Sequence, residues 1–406
     1  MSTSLYPSMR AWLAHLAATD RVAVMRDGIR LEFELAAIAK RLDGEKATFF
    51  PHPDGHAIPV ISGFMSRRSW IAETLGVAES DLPQRMLDAL ANPLPWREVT
   101  AGAAPVQEVA HDGVDIRRLL PIPKHNEHDS APYISAGLVI ARNPRTGAQN
   151  VSINRIQVNA PDRMGMLILP RHLHAFQSAA EEAGEALPVA VVIGASPAAL
   201  LASQAILPID HDELTVAGAL EGQPLDVVRC QTSEVRVPAQ AEIVIEGRVL
   251  AGVREPEGPF GEFPKYYSPQ QKREVIAIDR VTHRRNPIYH TIVPAAMEHL
   301  LLGAISREAT MLAHLKRSFP NVTGVHLAVG GACRYHLYVQ MRKTREGEPK
   351  NVIMDAFGGH YDIKHVVVVD EDVDVFDEQE VLWAIYTNVD PSRDVDVLKN
   401  QYNIFH

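Results

Sequence analysis

Apolar positions recur at helical spacing through residues 8–18, where Trp12, Leu13 and Leu16 share one side, and this predicts the first helix. A second helical pattern covers 31–42 and stops at Asp43-Gly44, a glycine that readily ends a helix. Between residues 47 and 64 the chain turns β-prone, and Pro51, Pro53-Asp54-Gly55 and Pro59 cut it into two short strands. Helices over 66–75 and 81–91 complete an N-terminal mixed α/β unit. Asn92-Pro-Leu-Pro-Trp96 reads as a linker, which puts a boundary near residue 100.

Short strands dominate from there. Segments 132–142 and 148–158 form a hairpin across the turn-rich Asn143-Pro-Arg-Thr-Gly147. Strands at 164–169 and 189–193 flank a helix over 171–183 that ends at Gly184. Ser196 with Pro197 opens a helix through Ala205, and strands follow at 227–230, 234–237, 242–246, 275–281 and 288–292. So many short strands with few helices predict a closed or partly closed β-barrel. Residues 299–317 carry the longest helical pattern, with Leu300, Leu301, Ile305, Met311, Leu312 and Leu315 on one broad apolar face, and read as a connector. Strands at 324–329, 335–341 and 366–369 alternate with helices at 351–357 and 378–387, a small α/β unit with a buried sheet. The expected fold class is therefore α/β (α+β) in four pieces: an N-terminal region 1–100, a β-barrel domain 101–297, a connecting helix 298–318 and a C-terminal α/β domain 319–406.

Bulk properties narrow the function. At 406 residues the chain exceeds what one core of roughly 250–300 residues can hold, and 46% hydrophobic with 22% charged residues is the balance of a soluble globular protein. A net charge of -10 excludes a dominant nucleic-acid surface while leaving room for a local basic pocket. Cys230 and Cys333 lack CxxC spacing, which argues against a disulfide framework or a zinc cysteine cluster and for a cytoplasmic protein. Residues 1–7 do not resemble a secretory leader, and no run reaches the roughly 18 apolar residues of a membrane span.

Several stretches carry candidate chemistry. In Glu257-Gly-Pro-Phe-Gly-Glu262 two carboxylates flank two glycines and a proline, so the segment reads as a shaped turn rather than a helix or strand interior. Such a turn can aim both acids into one cavity, where each raises the other's proton affinity unless a cation intervenes. The bland alternative is a solvated loop. Asn150-Val-Ser-Ile-Asn-Arg155 places polar side chains in a strand-like run; alternation puts Asn150 and Arg155 on opposite faces, so either a bulge intervenes or the two serve different partners. His172 after a strand and Glu213 at a helix start could join Asn150 in a mixed oxygen and nitrogen site for Mn2+ or Mg2+. Arg171 and Lys364 are candidate phosphate contacts by charge.

In order and interval, Asn150-x-Ser-Ile-x-Arg155, His172, Glu213 before Gly218-Ala219, and Glu257-Gly-Pro-Phe-Gly-Glu262 resemble the UbiD-like decarboxylases, which use prenylated flavin mononucleotide (FMN). The resemblance runs from the N-terminal helices to about residue 400. It implies a split β-barrel flavin-binding domain at 101–297, with Asn150, His172 and Glu213 binding a divalent metal, usually Mn2+, that also holds the cofactor phosphate. It implies that Arg155, Glu257 and Glu262 form a Glu-Arg-Glu catalytic network, that Ser152, Ile153 and Arg155 line the cofactor, and that Lys364 reaches its phosphate. Ala202, Ser203 and Ala205 fall where relatives supply backbone ligands for K+. Glu262 is expected to be the proton donor and Glu257 the anion that tunes Arg155.

The implied activity is non-oxidative, reversible decarboxylation of an aromatic, heteroaromatic or α,β-unsaturated carboxylic acid in a homodimer or higher homo-oligomer, with cofactor supplied by a flavin prenyltransferase. Ile305, after Gly303, is either helix core or a substrate contact. Relatives often carry a C-terminal tail beyond the point where this sequence stops. Two other classes fit single features: a metal-dependent hydrolase using Asn150, His172 and Glu213 without flavin, and a non-catalytic flavin-binding protein, against which the intact Arg155, Glu257 and Glu262 argue.

Overall fold

A computed structural model describes residues 6–401. Residues 1–5 and 402–406, on which the expectations about a leader and a shortened tail partly rest, lie outside the described residues. Helix Met9–Ala18 is capped by Ser8 and buries Trp12, Leu13 and Leu16 on the side its periodicity marks. Strands Val22–Val24, Ala47–Phe50, Val60–Ser62 and Tyr289–His290 form one four-stranded sheet in that order. The chain divides into two compact units, Met1–Val77 with Ala89–Leu302, and Ala78–Asp88 with Gly303–His406.

The first unit is built on a nine-stranded sheet: β1 (Val109–Asp112), β2 (Tyr133–Ile134), β3 (Leu138–Arg142), β4 (Gln149–Ile153), β5 (Ile156–Ala160), β6 (Arg163–Met166), β7 (Leu187–Ile193), β8 (Ile243–Glu257) and β9 (Gln271–His283). Its order is β2-β5-β6-β9-β8-β7-β3-β4, with β1 added on β9. Consecutive strands β4 and β5 thus stand six positions apart in the order. In a flat sheet that would separate them by roughly 29 Å at about 4.8 Å per strand. Ile153 and Ile156 are joined by three Cα steps of about 3.8 Å, roughly 11 Å at full stretch. The sheet therefore has to curl until its ends meet, and because no described ladder joins β4 to β5 the barrel stays split there. Its interior is filled by Val139, Ile156, Met164, Val191, Ile245 and Ile276 among others.

The strands depart from the sequence expectation in several places, and segment 132–142 is split into β2 and β3. Segment 148–158 is not one strand: it breaks at Asn154-Arg155, the seam of the barrel, so alternation does not run through from Asn150 to Arg155. The short strands expected at 242–246 and 275–281 are the inner halves of two long partners, β8 and β9, of 15 and 13 residues. Their outer halves carry Arg254, Glu255, Lys272 and Arg273 on a partly exposed ribbon, so the apolar signal fades before the strands end. A register shift lies at Glu246/Gly247, where a Cβ on Gly247 would come 2.3 Å from the Ala277 carbonyl oxygen.

Outside the sheet, α1 (His172–Glu182), α2 (Pro197–Ala202) and α3 (Glu213–Glu221) follow the expected patterns, although α2 stops before Ala205. In the second unit, strands Val322–Leu327, His336–Met341 and His365–Asp370 make a three-stranded sheet over a core of Ala328, Tyr338, Val369, Val375 and Val381. Helix Met297–Ser318 buries Leu300, Leu301, Ile305, Met311, Leu312 and Leu315. Among the described residues no helix is long and apolar enough to cross a membrane, and both cysteines are free and buried.

Candidate active site

Register lines up one row of residues across three strands. Tyr133 on β2 pairs with Gln157 on β5, and Gln157 pairs with Gly165 on β6. A Cβ on Gly165 would crowd Asn159 Nδ2 at 3.2 Å and stand in ordinary contact, 3.6 Å, with Glu257 Cβ at the end of β8. Glu257 closes β8 opposite Gln271, and the chain then turns through Gly258 at φ 87°, a conformation glycine tolerates, into a cis Gly258–Pro259 bond. Phe260–Gly261 is not plain loop: it pairs with Tyr267–Ser268 as a two-residue ribbon. The Glu262 N–H donates to the Tyr266 carbonyl at 2.8 Å and fixes the tip.

Arg155, released from the strand ladder at the seam, meets both acids. Its Nε and Nη2 donate to Glu257 Oε1 and Oε2 at 2.9 and 2.8 Å, a bidentate pair, and its Nη1 donates to Glu262 Oε1. The guanidinium also lies 5.2 Å over the Phe260 ring. The Glu257 side chain is 1% exposed and that of Glu262 17%, so the first acid is sealed while the second keeps access. Burial works against the Arg155 charge, yet its hydrogen bonds to Glu257 and the charges of Glu262 and Glu257 raise its proton affinity above the ordinary arginine value. It is a permanent cation between two acids.

The turn is held by residues that sequence reasoning did not single out. Gln157 Oε1 accepts from Ser130 Oγ at 2.7 Å, Tyr133 Oη at 2.7 Å and the Gly258 N–H at 2.8 Å. Tyr133 Oη also reaches Glu257 Oε1 at 3.3 Å, and burial followed by the Glu257 charge drives its phenol well above the usual range. Asp129 Oδ1 accepts the Gly261 N–H at 2.8 Å, and burial raises its proton affinity. A usable signal existed in the sequence: Arg155, Gln157 and Asn159 alternate, and a polar face on a strand in an apolar sheet needs partners.

Asn150, His172 and Glu213 come from three neighbouring elements. Asn150 is buried on β4; the next residue's N–H, Val151, donates to Glu213 Oε2 at 2.7 Å, and α1, which opens at His172, packs on β4. Burial pushes the Glu213 carboxyl up to about 8, against the help of that N–H. Burial, then the Arg171 charge, lowers the proton affinity of His172 and favours the neutral imidazole a metal requires. The buried Asn150 Nδ2 has no hydrogen-bond partner. A buried acid, an imidazole held neutral and an unsatisfied amide are a donor set that suits a divalent cation. Among the described residues no three His, Cys, Asp or Glu side chains form a metal-holding group; this set has only two of those types.

The other expected residues are placed as follows. Ser152 and Ile153 end β4 beside the seam, with Ser152 Oγ accepting from Asn154 Nδ2 at 2.9 Å. Arg171 is the residue before α1. The Ala202 carbonyl already accepts the Ala205 N–H at 2.9 Å, and Ser203 Oγ donates to the Leu200 carbonyl at 2.7 Å, on α2, which packs along α3. Lys364 belongs to the second unit, where its ammonium sits 4.4 Å over the Tyr335 ring, and Ile305 is buried in its helix.

Three family models match: the N-terminal, Rift-related and C-terminal domains of 3-octaprenyl-4-hydroxybenzoate carboxy-lyase (UbiD), over residues 13–90, 97–297 and 300–404. Anhydromevalonate phosphate decarboxylase of Methanothermobacter thermautotrophicus is 38% identical over 93% of this chain and 87% of its own. The UbiD-class enzyme HmfF from Pelotomaculum thermopropionicum, solved as an evolved dimeric form in complex with prFMN, superposes at a TM-score of 0.94, with 47% identity over 97% of this chain and 92% of that one. The apo 3,4-dihydroxybenzoic acid decarboxylase from Enterobacter cloacae gives 0.90, with 28% identity over 96% and 86%.

Proposed function

The chain belongs to the UbiD family of carboxy-lyases, and on that premise we propose that it decarboxylates an unsaturated carboxylic acid, aromatic, heteroaromatic or α,β-unsaturated, reversibly and without net oxidation. The observation that carries this is Arg155 held bidentate by a sealed Glu257 while its remaining arm meets the accessible Glu262. Losing CO2 leaves an electron pair that must be stabilised and then protonated, and prenylated FMN, when bound, supplies the electron sink.

This chain's residues do the rest. Glu262 delivers the proton, since it is the acid with access. Arg155 orients it and, when the proton has left, stabilises the carboxylate. Glu257 keeps Arg155 in place and takes up part of its charge, which stops the cation from draining the proton affinity of Glu262. Asn150, His172 and Glu213 would hold a divalent cation, Mn2+ or Mg2+, that neutralises the cofactor phosphate, with Arg171 contributing charge. Ser152 and Ile153 line the flavin, and the backbone around Ala202, Ser203 and Ala205 offers carbonyls to K+. The protein works as a homo-oligomer that receives its cofactor from a flavin prenyltransferase.

The test is to purify the protein from cells that also express a flavin prenyltransferase, record visible and mass spectra, and assay CO2 release and hydrogen–deuterium exchange across aromatic, heteroaromatic and α,β-unsaturated acids. A bound prenylated flavin with exchange on at least one acid is expected. A protein that binds no flavin and turns over none of the acids would overturn the proposal.

A further inference from the structure

One amide, Gln157, ties the strand that follows Arg155 to the turn that carries both acids. Its Oε1 takes three donors, Ser130 Oγ, Tyr133 Oη and the Gly258 N–H, all within 2.8 Å. Its Nε2 donates to Asn159 Oδ1 at 2.8 Å and lies 3.4 Å from the Pro256 carbonyl. Pro256 and Gly258 bracket Glu257, so Gln157 grips the backbone on both sides of that acid. The side chain is buried, and an amide accepts at Oε1 while donating from Nε2, as these partners require. A carboxylate would set an acceptor oxygen against Asn159 Oδ1 and the Pro256 carbonyl; an apolar side chain would leave the buried Gly258 N–H unmet.

We infer that Gln157 is a positioning residue for proton delivery: by fixing the backbone around Glu257 and giving Tyr133 an acceptor, it sets how the Arg155 charge is divided between Glu257 and Glu262. Two donors compete for Glu257 Oε1, Arg155 Nε at 2.9 Å and Tyr133 Oη at 3.3 Å. While Tyr133 donates to Gln157, Glu257 is free to engage Arg155 with both oxygens. Without Gln157, the Tyr133 proton has Glu257 as its remaining charged acceptor, the Gly258 N–H is unsatisfied and the turn relaxes. Arg155 then leans toward Glu262. The charged and titratable groups facing this cluster are Tyr133, Arg155, Glu257 and Glu262, with Asp129 on the Gly261 N–H and Glu255 behind Asn159.

This inference rests on the decarboxylase reading, so its test separates the two. In Gln157→Met, amide exchange across residues 257–262 of the cofactor-free protein is expected to rise on the order of tenfold, as for loss of one buried hydrogen bond. In the loaded enzyme, flavin content and KM are expected to stay within about twofold while kcat falls by about 10- to 100-fold, as for a misplaced catalytic group. The alkaline limb of the kcat profile moves to lower pH, because a fuller cation beside Glu262 makes it release its proton earlier. Tyr133→Phe, which keeps the Gln157 to Gly258 bond, is expected to leave exchange in the turn unchanged. If Gln157→Met keeps the turn protected, or loses flavin and stability while the folded fraction retains its kcat and pH profile, the positioning role is wrong. If wild-type protein binds prenylated flavin yet Glu262→Gln turns over normally, the proton-donor reading fails instead, whatever Gln157 does.

Discussion

At the scale of single residues, Glu257 and Glu262 are chemically alike and structurally unequal. Glu257 is sealed, taken by two arms of Arg155 and touched by Tyr133, whereas Glu262 holds one arm and keeps access. Glu262→Gln is therefore expected to retain the flavin spectrum and lose about 10²- to 10⁴-fold in turnover, the usual worth of a positioned general acid. Glu257→Gln is expected to lose less and to shift the alkaline limb of the rate profile to lower pH. The reverse ranking in steady-state kinetics would exchange their roles. Arg155→Ala strands a buried carboxylate, and a loss of about 3–5 kcal/mol in stability is expected by denaturant titration.

At the scale of elements, the seam between β4 and β5 and the β8/β9 hairpin decide where those residues stand. Periodicity located the strands flanking Arg155 but joined them into one, because nothing in an apolar run marks the point where pairing changes partner. The hairpin depends on the close approach at Gly247, and Gly247→Ala is expected to lower the melting temperature by driving a Cβ into the Ala277 carbonyl. On α3, Glu221 accepts from Ser196 Oγ at 2.8 Å, and burial pushes its carboxyl up to about 7 from an ordinary 4.5. A raised acid is held more tightly by the folded state, so its contribution is complete below about 4.5 and is lost as pH rises through about 7. Glu221→Gln is accordingly expected to change melting little at pH 4 and to raise it at pH 8.

At the scale of the whole molecule, the net charge of -10 makes a local anion site dependent on a cation. Glu213, its carboxyl raised by burial, and the unmet Asn150 amide are where the proposed cation would bind. Chelation is expected to release flavin from the loaded protein in parallel with activity, and Mn2+ to restore both; flavin retained after full metal removal, measured by absorbance and metal analysis, would break the link. Family membership sets aside the hydrolase and the non-catalytic binder, since the matching models and relatives are carboxy-lyases and decarboxylases.

By itself the sequence determined the helices of the N-terminal region, the strand-rich centre and the small C-terminal α/β unit, because each rests on local periodicity and on glycine and proline punctuation. It also determined the acids and the arginine, since Glu257-Gly-Pro-Phe-Gly-Glu262 and Asn150-Val-Ser-Ile-Asn-Arg155 are contiguous and chemically odd for their surroundings. Only the tertiary structure decided that these stretches meet, which acid is sealed, and that Gln157, Tyr133 and Asp129 hold the turn. Those facts come from register across strands 24 to more than 100 residues apart in the chain, as with Tyr133 and Gln157 or Arg155 and Glu257. Curling of the sheet creates that register, and no local pattern encodes it.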